Sequence, residues 1–456
     1  MYSIGSILKN IRENIGLILQ EVQQLSKIDI TQLSRIENGK RLPTSEQLKK
    51  LSEIYNYDYK KLLVHRESDK IINSVEYPEI AEETLKVAET KLKYGQKYLS
   101  LFQNEIYQAP IPIESRRYIG SKAKLADWIM NIIDNETNNI KTFVDLFAGT
   151  GIIANKALNK YNKVIINDIL YSNNVIYKGF FQHGIWDMNK LQDILLYYNG
   201  INPDKLTDNF FSENYGGKFF NYNVSKHIGY IREDIEEMKD KLTEKEYNIL
   251  LATLIYNIDK LANTVGHFDA YIKKPINEQK LYMRLIDAKN FNNVEIYRKD
   301  ANLLARSIKA DIVYIDPPYN SRQYSRFYHL YETLIKWDKP QLYGVALKPK
   351  PDNMSLYCTT KARDVFEDLI ANLQTQYIAV SYNNTYNSKS NSSENKIKLE
   401  EIENILKKCG ETKVFECTHR FFNTGKTEFK NHKEFLFITK VHEKRKNISF
   451  PSLLRW

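Results

Sequence analysis

Apolar residues in the first 65 positions recur at helical spacing: Ile4, Ile7, Leu8 and Ile11, then Leu48, Leu51 and Ile54. Residues three and four apart share one helix face, so this spacing predicts a compact bundle of short helices over 1–65. Local signals in "LSKIDITQLSRIENGKRLPTSEQLKKL" agree. Asn38 and Gly39 suit a helix C-terminus, and Pro43 with Thr44 and Ser45 suits the start of the next helix. Residues 66–110 are charged, and "EIAEETLKVAETKLKYGQKYL" again has helical spacing, which reads as a linker helix. "APIPI" (109–113) alternates proline with apolar residues and marks a domain boundary.

Beyond 111 the period changes. "KTFVDLFAGTGIIANKAL" opens with a buried strand (142–147), passes a glycine turn (148–151) and enters a helix. "KVIINDI" is a second strand ending at Asp168, and "YRKDANLL" ends a third. "DIVYID" is the fourth, "QYIAVSY" (376–382) the fifth, and "KVFECTH" with "EFLFITKV" a closing antiparallel pair. Strands alternating with helical segments predict an α/β domain over 111–445. Between Asp168 and Asp300 lie about 130 residues, far more than one crossover needs, so 180–293 reads as an insert. The polar stretch "NNTYNSKSNSSENK" (383–396) reads as a loop, either beside the active site or simply on the surface.

Composition narrows the class. A chain of 456 residues needs two or three domains, and 42% hydrophobic content supplies their cores. The net charge of +10 fits a polyanionic partner such as nucleic acid, and equally a lysine-rich solubilising surface. Cys358, Cys409 and Cys417 have no metal-ligand spacing and none is near "DPPY" in sequence, so no metal is expected. Few cysteines, no signal peptide and no apolar run of membrane length point to a cytoplasmic protein.

The chemistry concentrates in "VYIDPPYNSR" (313–322). Val313, Tyr314 and Ile315 favour a sheet interior, and Pro317 and Pro318 cannot donate ladder hydrogen bonds, so the strand stops there. Asp316 and Tyr319 are then held at a strand's C-terminal edge, where open α/β sheets bind ligands. Gly149 and Gly151 let backbone approach a ligand, and Asp168 follows Asp145 by the distance that puts an acid on ribose hydroxyls in a nucleotide-binding βαβ unit. A tight strand–helix turn is the plainer reading of the same glycines. Ala154 replaces the third glycine of the dinucleotide pattern, a tolerated variant.

The ordered set "YIGSK", "DLFAGTG" and "DPPY" resembles the D12 class, or alpha order, of DNA adenine-N6 methyltransferases over about 115–442. That resemblance implies a seven-stranded Rossmann-like methyltransferase sheet with helices on both faces, an inserted target-recognition domain at about 180–293, and S-adenosylmethionine as cofactor. Tyr118, Gly120 and Lys122 match the motif beside the cofactor's methionine part. Asp145, Phe147 and Gly149 match the loop around its amino-acid end. Asp168 matches the ribose ligand, and Asp300 either meets the cofactor's adenine or caps the next helix.

Asp316, Pro317, Pro318 and Tyr319 match the catalytic motif. The exocyclic amine of adenine is a poor nucleophile because its lone pair is delocalised into the ring. The Asp316 carboxylate and the Pro317 carbonyl would accept its two N–H bonds and free that lone pair, with Tyr319 stacking on the extruded base. No cysteine follows the two prolines, which argues against cytosine-C5 chemistry. Arg322 and Arg326, interleaved with tyrosines, suit a nucleic-acid backbone and unstacked bases, or form an ordinary helix with a Tyr/Leu core face. In the insert, Asn263, His267 and Lys273 are candidate DNA contacts or parts of a solvated loop.

At "SRIENGKRLP" the first domain resembles the helix-turn-helix family of phage repressors, which implies a small all-α DNA-binding domain ahead of the enzyme; a helical dimerisation or docking module is the plainer reading of the same segment. The helix after the turn runs from about Asp29 to Asn38, with Thr31, Gln32 and Arg35 able to reach DNA. Family members usually carry a small residue and a turn glycine where this chain has Gln23 and Lys27. Taken together, the sequence reads as a site-specific DNA adenine-N6 methyltransferase acting on double-stranded DNA, the modification component of a restriction-modification system. The alternatives are a transcription regulator with a secondary or inactive catalytic domain, an RNA adenine methyltransferase, and a DNA cytosine-N4 methyltransferase. A cognate restriction endonuclease, and a monomer or a dimer through the N-terminal domain, stay open at this stage.

Overall fold

The computed structural model describes residues 3–73, 109–276, 278–385, 394–418 and 433–443. The chain divides into two compact units, Met1–Tyr107 and Gln108–Trp456. Among the described residues no helix is long and apolar enough to cross a membrane.

In the first unit five helices enclose one small core: α1 (Ile4–Asn14), α2 (Leu19–Ser26), α3 (Ile30–Glu37), α4 (Ser45–Ile54) and α5 (Tyr59–Asn73). Ile4, Leu8, Val22, Leu33, Ile36, Leu48 and Leu51 are all buried in it. Caps set the boundaries. Asp29 accepts from the Thr31 and Gln32 amides, and Thr44 and Gln47 cap each other reciprocally at the start of α4. Lys27 closes α2 at φ 59°, the left-handed conformation that a turn glycine adopts without strain. Arg12 grips Glu37 with two bonds of 2.7 and 2.8 Å, tying α1 to the end of α3. The expected boundary at residue 65 falls inside α5, which continues to Asn73; the rest of the expected linker helix lies outside the described residues.

The second unit is a seven-stranded sheet in the order β3-β2-β1-β4-β5-β7-β6. Its strands are β1 (Thr142–Asp145), β2 (Lys163–Asn167), β3 (Val294–Tyr297), β4 (Lys309–Ile315), β5 (Gln374–Asn383), β6 (Gly410–Thr418) and β7 (Lys433–Val441). The first five are parallel, and β7 runs antiparallel between β5 and β6. Alternation along the strands feeds two cores. Phe143, Val164, Ile312 and Tyr314 face one, and Val144, Ile165, Val313 and Ile315 face the other.

Helices cover both faces. One is covered by α6 (Ala126–Glu136), α7 (Ile152–Leu158), α8 (Tyr171–Phe181) and much of the insert, namely α9 (Met188–Asn199), α10 (Phe210–Tyr215), α11 (Tyr222–Glu237) and α12 (Glu244–Asp259). Two short helices on the same side follow β4, α14 (Tyr324–Phe327) and α15 (His329–Lys336). The other face is covered by α13 (Ala301–Ala305), α16 (Ala362–Asn372) and α17 (Leu399–Lys407). The insert is no separate lobe. A Cβ on Gly179 of α8 would meet the Asn248 carbonyl of α12 at 2.8 Å, so only glycine lets these helices touch. Strand order reverses across β1, with β2 on one side and β4 on the other, and the crevice at such a switch point is where open α/β sheets hold ligands.

Candidate active site

Three carboxylates stand at the C-terminal edges of three neighbouring strands. Asp145 ends β1, Asp316 follows β4, and Asp168 follows β2. They border a cleft of about 980 Å³. All the expected cofactor residues line this cleft: Tyr118, Gly120, Lys122, Asp145, Phe147, Gly149, Asp168, Asp300 and Asp316. Pro317, Pro318 and Tyr319 line it too. The fold therefore brings these residues to one cleft, although they come from segments about 200 positions apart.

The glycine turn is held from below. Gly149 and Gly151 lie at φ 52° and 77°, where a side chain would be strained. A Cβ on Gly151 would also press on the Tyr177 ring at 3.0 Å. The Asp168 carboxylate accepts from the Gly149 amide at 3.0 Å and from the Leu170 amide at 2.9 Å. The Gly149 carbonyl accepts from the Tyr177 hydroxyl at 2.7 Å and from Arg116 at 3.3 Å. Arg116 is buried, bonds Asn173 at 2.8 Å and lies over the Tyr118 ring. Burial holds Asp168 above the usual carboxylate range.

Asp145 is wholly buried. One of its oxygens accepts from the Ala154 amide at 3.1 Å, and Oδ1 has no hydrogen-bond partner among the described residues. Burial first, then nearby Asp316, pushes its pKa well up. A buried acceptor without a donor is costly, and a ligand ammonium would relieve it. Asp300 caps α13, accepting from the Asn302 and Leu303 amides at 2.9 and 3.1 Å on one oxygen, while still lining the cleft. The two readings of Asp300 are therefore compatible in space.

Around Asp316 lies a buried ionic cluster. The Lys122 ammonium is 3.0 Å from Asp316 and 3.0 Å from Glu434 of β7. The Tyr319 hydroxyl donates to Asp316 and accepts from Lys122, and it lies 3.2 Å from Glu434. Ser381 of β5 donates to Glu434 at 3.0 Å. Burial pushes Asp316 up to about 6 despite Lys122, with Glu434 raising it further. Burial also works against the Lys122 ammonium, but Asp316 and Glu434 outweigh it and hold its pKa above the usual value. The Tyr319 ring is 8% exposed and packs edge-on against Tyr382. Its hydroxyl is thus turned inward, toward Asp316.

The remaining candidates divide. Thr31 and Arg35 are exposed on α3, whereas Gln32 accepts from Gln47 at 3.0 Å and braces α3 against α4. Asn263 donates to the Lys218 and Ile272 carbonyls and holds its loop together. His267 stacks on Phe327 at 4.7 Å, and burial lowers its pKa. Lys273 is exposed. Arg326 donates to the Pro349 carbonyl at 2.7 Å, and the Arg322 guanidinium lies over Phe327. Of the tyrosines after "DPPY", Tyr324 is half-buried and lines the cleft, whereas the next two are no open stacking platform. Tyr328 and Tyr331 are 1% and 0% exposed, because α15 turns its apolar face into the core. The 383–396 loop lies mostly outside the described residues; at its end the Lys396 amide donates to the Tyr319 carbonyl at 2.7 Å. Cys358, distant in sequence, reaches the "DPPY" segment in space through the Arg322 carbonyl, but burial pushes its thiol up to about 12, too high for a nucleophile at neutral pH.

Sequence reasoning missed Arg116, Glu332 and Glu434. Arg116 stands beside "YIGSK" and could have been included with it. Glu332 is buried in α15 and accepts from the Tyr171 and Ser172 amides at 3.0 and 2.8 Å, fixing the start of α8 just after Asp168. Glu434 had no local signal at all.

Residues 118–369 match the family model of D12 class N6 adenine-specific DNA methyltransferases, and residues 5–67 match that of a helix-turn-helix domain. The chain is 31% identical over 332 residues to the Type II methyltransferase M.NlaIII of Neisseria lactamica, covering 69% of this chain and 95% of that protein. It is 34% identical over 314 residues to the Type II methyltransferase M.FokI of Planomicrobium okeanokoites, covering 64% of this chain and 47% of that one. It is also 31% identical over 109 residues to the HTH-type transcriptional repressor RghR of Bacillus subtilis, which is 24% of this chain and 79% of that protein. With that match spanning the strands that build the cleft, and with a helix-turn-helix domain ahead of it, the chain belongs to the D12 class of N6 adenine-specific DNA methyltransferases.

Proposed function

We propose that this enzyme transfers a methyl group from S-adenosylmethionine to N6 of adenine within one short sequence of double-stranded DNA, as the modification component of a restriction-modification system. The observation that carries the reading is the partnerless Oδ1 of Asp145 in the same cleft as Asp316. The residues fit the cofactor. Asp145 would take its ammonium, Asp168 its ribose hydroxyls and Asp300 its adenine, with Tyr118, Gly120 and Phe147 enclosing it. When bound, that cofactor supplies an electrophilic methyl on a sulfonium.

The chain's own residues supply the rest. Asp316 and the Pro317 carbonyl accept the N–H bonds of the target amine, which localises its lone pair toward the methyl. Tyr319 holds Asp316 through its hydroxyl, and its ring borders the cleft that would receive the base. Closure of the cleft around both ligands excludes water, so positioning and fixed charges account for most of the acceleration. Asp316, once ionised, can take the proton that the methylated amine sheds. Arg322, His267 and Lys273 are the groups we assign to DNA beside the catalytic cleft.

The first unit adds a second DNA contact through Thr31 and Arg35, used to regulate expression of the enzyme's own gene. The similarity to a transcriptional repressor favours this addition. The test is to express the chain in a methylation-free host and sequence the DNA for modified bases. N6-methyladenine at one motif, lost in Asp316→Ala, is the expected result. N4-methylcytosine, or modification confined to RNA, would overturn the reading.

A further inference from the structure

We infer that Glu434 is a positioning residue for methyl transfer: from β7 it shares the Lys122 ammonium with Asp316 and fixes the Tyr319 hydroxyl between the two carboxylates. The inference rests on the reading of Asp316 as acceptor for the target amine. Glu434 lies beyond the family-matched segment, which ends at residue 369.

The geometry is a closed figure. Lys122 stands 3.0 Å from each carboxylate, with side-chain exposures of 6% for Lys122, 15% for Asp316 and 5% for Glu434. Tyr319 bridges the same two acids from the other side, and Ser381 fixes the Glu434 oxygen that both contact. One ammonium between two buried carboxylates leaves an excess negative charge out of water. Such an arrangement is a poor device for stability, because desolvation offsets the attraction. Its effect on the site is specific. With Glu434 present, Lys122 cannot pair with Asp316 alone, so Asp316 keeps acceptor strength for the substrate amine. Without it, a one-to-one Lys122–Asp316 pair would hold the carboxylate against the ammonium and weaken it as a base.

The charges facing Asp316 give this a readout. Lys122 comes from the loop before α6, Glu434 from β7, Tyr314 from β4, Asp145 from β1, Tyr319 from the motif itself and Tyr324 from α14. Glu434 is the member whose negative charge keeps Asp316 high while lying outside the cofactor residues. Removing that charge lets Asp316 ionise at lower pH.

The experiment uses the full-length protein, S-adenosylmethionine and a duplex carrying its methylation motif. The pH profile of kcat, the cofactor Kd by calorimetry and the melting temperature are measured for Glu434→Gln, Glu434→Asp and Asp316→Ala. For Glu434→Gln we expect kcat to fall roughly ten-fold or more, cofactor Kd to stay within about two-fold, and the acid limb to move down by about one pH unit. Glu434→Asp keeps the charge, so its limb stays at the wild-type position even if kcat drops. A Glu434→Gln enzyme with normal kcat and an unmoved limb overturns the inference, even if it melts earlier. So does a limb that moves equally far in Glu434→Asp. Should Glu434→Gln not fold, Ser381→Ala loosens the same carboxylate: reduced kcat at unchanged cofactor Kd supports the role, and unchanged kcat overturns it. An active Asp316→Ala would instead sink the underlying reading of the site.

Discussion

Replacing Tyr319 by phenylalanine removes one hydroxyl and nothing else from the cluster around Asp316. That hydroxyl donates to the carboxylate, and it favours the ionised form. A hydrogen bond to a charged group is worth about 1.5–3 kcal/mol, and one pKa unit corresponds to about 1.36 kcal/mol, so the loss amounts to about one to two units. Lys122 remains within reach of Asp316 and compensates in part, which favours the lower end. The sign follows from which form loses a partner. Ionised Asp316 is disfavoured, its pKa rises from about 6, and the acid limb of kcat moves upward. At neutral pH the variant then runs about two-fold slower, the deficit approaches ten-fold as the pH falls below about 6, and by about pH 9 it recovers, because the ring and its packing on Tyr382 are intact. Initial rates of labelled methyl transfer across this pH range, at saturating cofactor and duplex, are the assay. A loss of the same proportion at every pH, or a limb displaced downward, would refute the role given to the hydroxyl.

Two other variants test separate parts of the reading. Asp145→Asn removes the charge that would hold the cofactor's ammonium, so calorimetry should show S-adenosylmethionine binding weaker by about 1.5–3 kcal/mol. Its melting temperature should not fall, since an uncompensated buried carboxylate is relieved; unchanged cofactor affinity would contradict the assignment. Thr31→Ala with Arg35→Ala should abolish retention of the enzyme's own promoter fragment in a mobility-shift assay while methylation of a short duplex persists, and loss of both activities would make the first unit part of substrate recognition.

Much of this architecture could be read from local pattern because its signals are short-range. The first four strands and the edge positions of Asp145, Asp168 and Asp316 follow from short apolar runs that end at or near an acid. Lys27 shows where such reasoning misjudges an exception. A missing turn glycine looked like a weakness of the helix-turn-helix pattern, yet the chain puts lysine in the left-handed conformation at a modest strain. The tyrosines after "DPPY" show the opposite error. Their interleaving with Arg322 and Arg326 suggested a surface for bases, but a helix spacing of three and four turns Tyr328 and Tyr331 into the core, and of these tyrosines only Tyr324, half-buried like the two arginines, borders the cleft.

The least legible feature is the one that decides how Asp316 works. Lys122, Asp316, Tyr319, Ser381 and Glu434 come from a loop before the first strand, the end of β4, the end of β5 and the start of β7. Nothing in "KEFLFITKV" distinguishes Glu434 from any acid at the start of an exposed strand. Only the antiparallel return of β7 beside β5, which sets Glu434 opposite Asn383, brings the acid over the catalytic edge. A sheet that was parallel throughout would present the C-terminal end of its last strand there instead, and Val441 would stand where Glu434 does. The closing pair of strands thus does more than cover an edge. By reversing direction it delivers a carboxylate from the start of a strand to the place where the parallel strands end, and Asp316 is tuned by a residue that the motif itself does not contain.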